Sequence, residues 1–251
     1  MKHFLAMADL SPAEFNSILA TAQKLKTEWR KRGNKPILKN KTLGMVFQKP
    51  SLRTRVSFDM AMLHLGGQAL YLSPNEIGLG QRESIADVAR VLARYVDGIM
   101  ARVFAHAHVV ALAQYSSVPV INGLSDHEHP CQAMADALTI VEHLGKLKGL
   151  RVVFLGDGNN VARSLMYACM LGGAHFVGSS PPGYALDEAS VARARELASR
   201  FASRQSILKS GGTVELIPDP QVAAKNADVL YTDVWASMGQ ESQAAERAQV
   251  F

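Results

Sequence analysis

The stretch KPSLRTRVSF, Lys49 to Phe58, sets three cations, Lys49, Arg53 and Arg55, around the hydroxyls of Ser51 and Thr54, and then turns apolar. Residues of these types at the start of a helix suit a small, densely charged anion. A helix N-terminus presents unpaired N–H groups and the positive end of the helix dipole. A phosphate there would receive backbone N–H bonds, hydroxyl bonds from Ser51 and Thr54, and a forked pair from Arg53. The same spacing also fits a capped helix with solvated arginines, although Arg53 and Arg55 do not easily share one face with the apolar stripe that follows.

Four further clusters carry polar groups able to do chemistry. Arg102 follows an apolar strand and precedes Val103 and Phe104, so it is either a strand-end surface charge or a ligand clamp. His129-Pro130-Cys131-Gln132 opens a helix with proline at its first position. A neutral histidine there can donate to a carbonyl oxygen; an ordinary helix cap also accounts for the tetrapeptide taken alone. Cys131 reads as a packed thiol, since no base is evident beside it. Gly156-Asp157-Gly158-Asn159-Asn160 follows a strand and opens a helix, which raises a dinucleotide site. Val161 stands where the third glycine of G-x-G-x-x-G belongs, and the next strand ends in Gly178-Ser179-Ser180 without an acidic residue for a ribose. The glycines instead fit a tight turn that aims the Asn160 amide. Finally, Asp233-Val234-Trp235-Ala236-Ser237-Met238-Gly239-Gln240 offers a carboxylate, a hydroxyl and glycine-flanked backbone. Such a loop can hold the amino and carboxylate groups of a free amino acid, or be a plain polar turn.

The elements that position these clusters alternate. SPAE, Ser11 to Glu14, marks a helix start with a capping box and Pro12 at the first helical position. Phe15, Ile18, Leu19, Ala22 and Leu25 follow at helical spacing, and Gly33 ends the run. Thr42–Phe47 reads as a strand. The helix after it carries Val56, Met60 and Leu63 on one stripe and stops at Gly66-Gly67. ALYL, GIMA and PVI read as strands, separated by helices over ESIADVARVLARYV and Ala107–Tyr115, and Pro130–Leu144 is a long helix. After KLKG the alternation restarts: RVVFLG, HFVG, TVELIP and DVLYT as strands, with helices at Asn160–Leu171, Leu186–Phe201 and Pro220–Ala227. Strands and helices in this order predict parallel βαβ units. The fold class expected is α/β, two doubly wound parallel-sheet domains, 1–145 and 146–251, with a cleft between them. In such sheets ligands sit beyond the carboxyl ends of the strands. Lys49–Arg55, Arg102, Asp157–Asn160 and Asp233–Gln240 all fall there.

The bulk numbers agree with a globular chain of one or two domains: 251 residues, 48% hydrophobic, 20% charged. The net charge of +5 is spread along the chain. No basic block, RRM, zinc-finger or KH pattern is present, which argues against a nucleic-acid partner. Cys131 and Cys169 are too few for a disulfide framework and lack metal spacing, so a reducing compartment and no metal are expected. No apolar run is long enough to span a bilayer, and MKHFLAMADLSP lacks a signal pattern. A cytoplasmic protein is the expectation, unless a transit peptide precedes this numbering.

Together and in this order, the motifs resemble the transcarbamylases, most closely the branch of that family that acts on ornithine. S-x-R-T-R matches Ser51 to Arg55, H-P-x-Q matches His129 to Gln132, and GDGNN and DVWASMG resemble ornithine-binding segments. The resemblance runs from about Leu5 to the last residue. It implies that Ser51, Leu52 (through its N–H), Arg53 and Thr54 hold the phosphate of carbamoyl phosphate. It further implies that Arg102, His129 and Gln132 hold and polarise the carbamoyl group, with Arg53, Arg102 and His129 as the catalytic set. Asn160, Asp233, Ser237 and Met238 would hold the amino-acid end of L-ornithine. The product would be L-citrulline, in arginine biosynthesis. The resemblance further implies no cofactor, a cytoplasmic setting, catalytic homotrimers or multiples of them, and ordered binding with carbamoyl phosphate first.

Two departures qualify the match. Gly78 stands where many relatives carry Gln or His reaching into a neighbouring subunit, a contact that is absent here or supplied by something nearby such as Gln81. After QAAERAQVF the family continues for about one small subdomain, including an H-C-L-P motif and a last helix, absent from this sequence. A fragment of a longer chain is expected; a chain that ended at Phe251 should leave apolar surface uncovered. Three alternatives stay open on sequence: a transcarbamylase with another amine acceptor, a non-catalytic carbamoyl phosphate-binding chain, and a nicotinamide-dependent dehydrogenase. An acceptor profile, a turnover assay and the effect of dinucleotides on melting would separate them.

Overall fold

A computed structural model describes residues 2–80, 82–204, 211–235 and 243–251. Its described residues group into two compact units. One comprises Met1–Asp9 with Ala20–Cys131; the other comprises Leu10–Leu19 with Gln132–Phe251. No helix among the described residues is long and apolar enough to cross a membrane.

The first unit is built on β1 (Thr42–Phe47), β2 (Gln68–Leu72), β3 (Gly98–Arg102) and β4 (Val120–Leu124), all parallel, in the order β2-β1-β3-β4. The central strands β1 and β3 are almost wholly apolar because both their faces are covered, whereas the edge strand β2 is partly exposed. Side chains alternate along them. Leu43, Met45, Phe47 and Met100 face one core, closed by Phe58 and Met62 of α2 (Leu52–His64). Val46, Ile99, Ala101 and Val120 face the other, filled by Val88 and Ala89 of α4 (Ile85–Leu92) and Val109 and Leu112 of α5 (His106–Tyr115). A short α3 (Pro74–Ile77) follows β2, capped by Gly78 in the left-handed region (φ 49°). A side chain at Gly78 would be strained there and would press on Arg82. Gln81 lies outside the described residues.

The Val56–Met60–Leu63 stripe does not face the core. With Leu52 it points to solvent; Leu52 is 78% and Leu63 63% exposed. Phe58 and Met62 take the core positions one step round the helix.

The second unit repeats the plan. Strands β5 (Arg151–Leu155), β6 (His175–Ser179), β7 (Val214–Leu216) and β8 (Val229–Thr232) are parallel in the order β7-β6-β5-β8. α7 (Asn160–Gly172) is buried nearly all round, from Val161 to Leu171. Its end is pinned closely: Gly172 meets the Leu147 side chain and lies near Phe15. Phe15 belongs to α1 (Pro12–Arg32), whose first turns thus pack within the second unit. α6 (Pro130–Leu144), α8 (Glu188–Arg204) and α9 (Pro220–Ala224) complete this set. The sequence reading missed α3, the short Met7–Asp9 turn of 3₁₀ helix and α10 (Ala244–Val250), each too short for a periodic signal.

Candidate active site

Strand order decides where a ligand should sit in each unit. In the first, β1 pairs with both β2 and β3, so the chain reverses direction of build between β1 and β3. In the second, the reversal lies between β5 and β8. Open α/β sheets bind ligands at such switch points, beyond the strand ends. The loops there are Lys49–Ser51 and the end of β3 in one unit, and Gly156–Asn159 and Asp233–Trp235 in the other.

At the first switch point Ser51 is the N-cap of α2 in extended conformation. Its Oγ donates to Thr54 Oγ1 at 3.1 Å and accepts the Thr54 N–H at 3.4 Å. Arg102, the last residue of β3, is 4% exposed and donates from a terminal guanidinium nitrogen to Thr54 Oγ1 at 3.2 Å. A register shift between Ala101 and Arg102 against β4 turns the strand end at this point. Burial, then the nearby Arg53 guanidinium, lower the Arg102 pKa to about 10, which leaves it charged at neutral pH. Two guanidiniums that repel each other beside a helix start form a site that an anion would relieve. His129 lies within the field of the Arg102 charge; burial and then that charge hold its imidazole at about 4, so it is neutral at physiological pH. Arg55 is directed elsewhere: its guanidinium lies over the Tyr71 ring, 4.2 Å from the centroid, and 3.6 Å from Asp59. Sequence reasoning missed Gln48. Its N–H bonds the Arg102 carbonyl at 2.9 Å, and its amide bridges the Leu79 carbonyl and the Phe104 N–H. Gln48 therefore ties the ends of β1 and β3 together under the motif.

Pro130 opens α6 at its first position, and Gln132 lies in the first turn, three residues after His129. Cys131 is a packed thiol: its Sγ donates to the Asn122 carbonyl at 3.4 Å, and burial pushes its pKa up to about 12.

At the second switch point Gly158 is held by backbone. Its N–H bonds the Tyr184 carbonyl at 2.7 Å, and any Cβ would collide with the Leu186 backbone. Its glycine is a packing requirement of the turn. Asn159 is the N-cap of α7, accepting the Val161 and Ala162 N–H groups at 2.9 and 3.1 Å. Its amide nitrogen donates to Asp233 Oδ2 at 3.3 Å, while Asp233 Oδ1 accepts the Val234 N–H at 2.8 Å. Asn160 begins the helix beside this pair. Ser237 and Met238 lie outside the described residues.

One clamp here had no sequence signal. Arg247 of α10 donates to Asp157 Oδ2 at 2.7 Å and to the Trp235 carbonyl at 2.9 Å, with both charged side chains nearly buried. Tyr184 and Phe251 pack around it. It ties the loop after β5 to the loop after β8. Among the described residues no group of His, Cys, Asp and Glu is arranged to hold a metal.

Comparison with known proteins bears on both units. Residues 2–142 match the family model described as "Aspartate/ornithine carbamoyltransferase, carbamoyl-P binding domain", and residues 148–251 match its "Asp/Orn binding domain". A protein of Pyrococcus abyssi named ornithine carbamoyltransferase is 54% identical over 252 residues, covering 100% of this chain and 76% of that one. A Pyrococcus furiosus relative, named as the anabolic ornithine carbamoyltransferase, is 53% identical over the same shares. The solved structure of ornithine carbamoyltransferase from Pyrococcus furiosus superposes with a TM-score of 0.92 at 51% identity, covering 100% of this chain and 77% of that one. The Thermus thermophilus structure gives 0.84 at 41%, covering 100% and 78%.

Proposed function

This chain belongs to the aspartate/ornithine carbamoyltransferase family, and we propose that it transfers the carbamoyl group of carbamoyl phosphate to the δ-amine of L-ornithine, giving L-citrulline and phosphate. The observation that carries this reading is the Arg102–Thr54 bond at the start of α2, with the Arg53 charge beside it and a neutral His129 within the field of Arg102.

The roles follow from the chemistry. Ser51, the Leu52 N–H, Arg53 and Thr54 hold the phosphate at the helix start. Arg102, His129 and Gln132 hold the carbamoyl group. Asn160, Asp233, Ser237 and Met238 hold the α-amino and α-carboxylate groups of ornithine, which leaves its δ-amine free to react. The δ-nitrogen lone pair forms the C–N bond at the carbamoyl carbon, and the carbonyl electrons move to oxygen. Arg102 and the neutral imidazole N–H stabilise that oxyanion. The carbon–oxygen bond to phosphate then breaks, Arg53 and Arg102 stabilise the departing charge, and the nitrogen gives up one proton to the departing phosphate. No covalent enzyme intermediate is required; positioning and fixed charge supply the acceleration.

The same reading makes the enzyme a cytoplasmic participant in arginine biosynthesis that works as a homotrimer. The exposed apolar stripe Leu52, Val56, Met60 and Leu63 supports a contact between copies, since a row of this kind on a monomer would be unusual. The test is citrulline formation from carbamoyl phosphate and ornithine. A loss of about 10³-fold in R102M is expected. Turnover with another amine in place of ornithine, and none with ornithine, would overturn the acceptor assignment.

A further inference from the structure

Asp136 is a half-buried carboxylate that none of the roles above uses. It lies one turn after Gln132 on α6, and Gln132 Nε2 donates to its Oδ1 at 2.9 Å. Its second oxygen, Oδ2, is fully buried, and the Tyr231 hydroxyl is a second hydrogen-bonding group directed at this carboxylate. The Tyr231 hydroxyl and the Asp233 carboxylate neighbour it from the end of β8, and the Cys169 thiol from α7. Desolvating a carboxylate is costly, so its retention here asks for a reason beyond packing.

The reason lies in what a carboxylate can and cannot do. Ionised, it only accepts hydrogen bonds. A glutamine amide has one accepting end and one donating end, and the two are nearly the same shape. Held against a carboxylate, the amide must turn its NH₂ inward. Its Oε1 is then the end presented away from Asp136.

We propose that Asp136 is a positioning residue that fixes the Gln132 amide with its carbonyl toward the substrate, and so makes the site select an acyl phosphate bearing an N–H donor. This rests on the reading that Gln132 contacts the carbamoyl group. In carbamoyl phosphate the NH₂ is the group that distinguishes it from acetyl phosphate, which carries a methyl in the same place. A fixed carbonyl rewards the first and is left unpaired by the second. A free amide offers no such preference. Burial pushes the Asp136 carboxyl up to about 6, so it is ionised at pH 8.

The test compares affinities for carbamoyl phosphate and acetyl phosphate at pH 8 in the wild type, D136N, D136A, Q132L and D136N/Q132L. Asparagine keeps the shape of the side chain and offers NH₂ as readily as carbonyl, so the amide of Gln132 is no longer held one way. The wild type should prefer carbamoyl phosphate by about 10- to 100-fold, the worth of one charge-assisted or well-placed hydrogen bond. D136N and D136A should each lose about 10-fold of that preference, by weakening carbamoyl phosphate and leaving acetyl phosphate unchanged. In the Q132L background D136N should change nothing further, because the residue acts through the amide. Melting curves report folding, and D136N carries the test if D136A does not fold. Unchanged discrimination in D136N overturns the inference. So does a loss that is the same for both ligands, or one that adds in full to that of Q132L. A wild type that binds neither ligand overturns the reading of the first switch point itself, and this inference with it.

Discussion

In the first unit the switch point lies between β1 and β3 and gathers Arg53, Arg102, a helix start and a neutral imidazole. In the second it lies between β5 and β8 and gathers carboxylate and amide groups, Asp233, Asn159 and Asn160. The backbone plan is the same; the chemistry has opposite sign. A cationic loop suits a phosphate donor, and an anionic one suits an ammonium-bearing acceptor. The supports differ as well. Gln48 steadies the first loop pair through neutral hydrogen bonds to backbone, whereas a nearly buried ion pair, Arg247 to Asp157, staples the second. One fold therefore yields two sites through the side chains at its strand ends and the braces beneath them.

The contrast can be broken most severely at Arg102. Replacing it by methionine removes the charge at the first switch point and keeps the packed stem. The expected loss is about 10³-fold in kcat/KM, as for deletion of a principal oxyanion donor, with melting little changed. A loss below about 10-fold would mean that Arg102 is only a strand-end charge.

Next in size is Arg247. R247M leaves Asp157 buried without its partner, which should lower unfolding free energy by about 3–5 kcal/mol in denaturant titrations. At temperatures where the variant is folded, KM for ornithine should rise while KM for carbamoyl phosphate holds. A rise in both would show that the brace is not particular to the second unit.

His129 gives a smaller, pH-dependent difference. Its folded-state pKa is about 4, against about 6.5 in the unfolded chain. Between those values the unfolded chain binds the proton and the folded one does not. Its contribution therefore lowers stability as pH falls from about 6.5 toward about 4, and is absent above that window. The loss is on the order of 3 kcal/mol, from a gap of about 2.5 pH units at about 1.36 kcal/mol each. H129N should flatten that part of the stability profile, measured by urea unfolding at several pH values. A slope that survives in H129N would assign it to another group.

Arg55 should matter least. It rests on Tyr71 at the surface, so R55A should remove about 0.5–1 kcal/mol of stability and change kcat by less than about threefold. A large kinetic effect would place Arg55 with Arg53 and redraw the first switch point.

Much of this was legible in the sequence because it is local. Short apolar runs, the SPAE cap and the punctuating glycines located every sheet strand, and the polar clusters at their ends marked the loops. Strand order was not legible, since the pairing of β1 with β3 joins segments about fifty residues apart in sequence and has no local signature. The outward face of α2 was hidden for a related reason: an apolar stripe at helical spacing reads the same toward a core or toward solvent. Asp136 and Arg247 look like ordinary polar positions on short helical stretches. Only burial, and a partner ninety residues away in the case of Arg247, distinguishes them. The Asn159–Asp233 bond was not legible, because it depends on a turn that Gly158 sets through its contact with Tyr184 and Leu186.

The division of labour between the two switch points is tested most directly by steady-state kinetics of D233N with each substrate varied in turn. Asparagine preserves the shape that Asn159 and the Val234 N–H recognise and removes the charge. KM for ornithine should rise about 100-fold, and KM for carbamoyl phosphate should stay within about threefold of wild type. An equal rise in both, or a change confined to carbamoyl phosphate, would contradict the assignment of donor and acceptor to separate units.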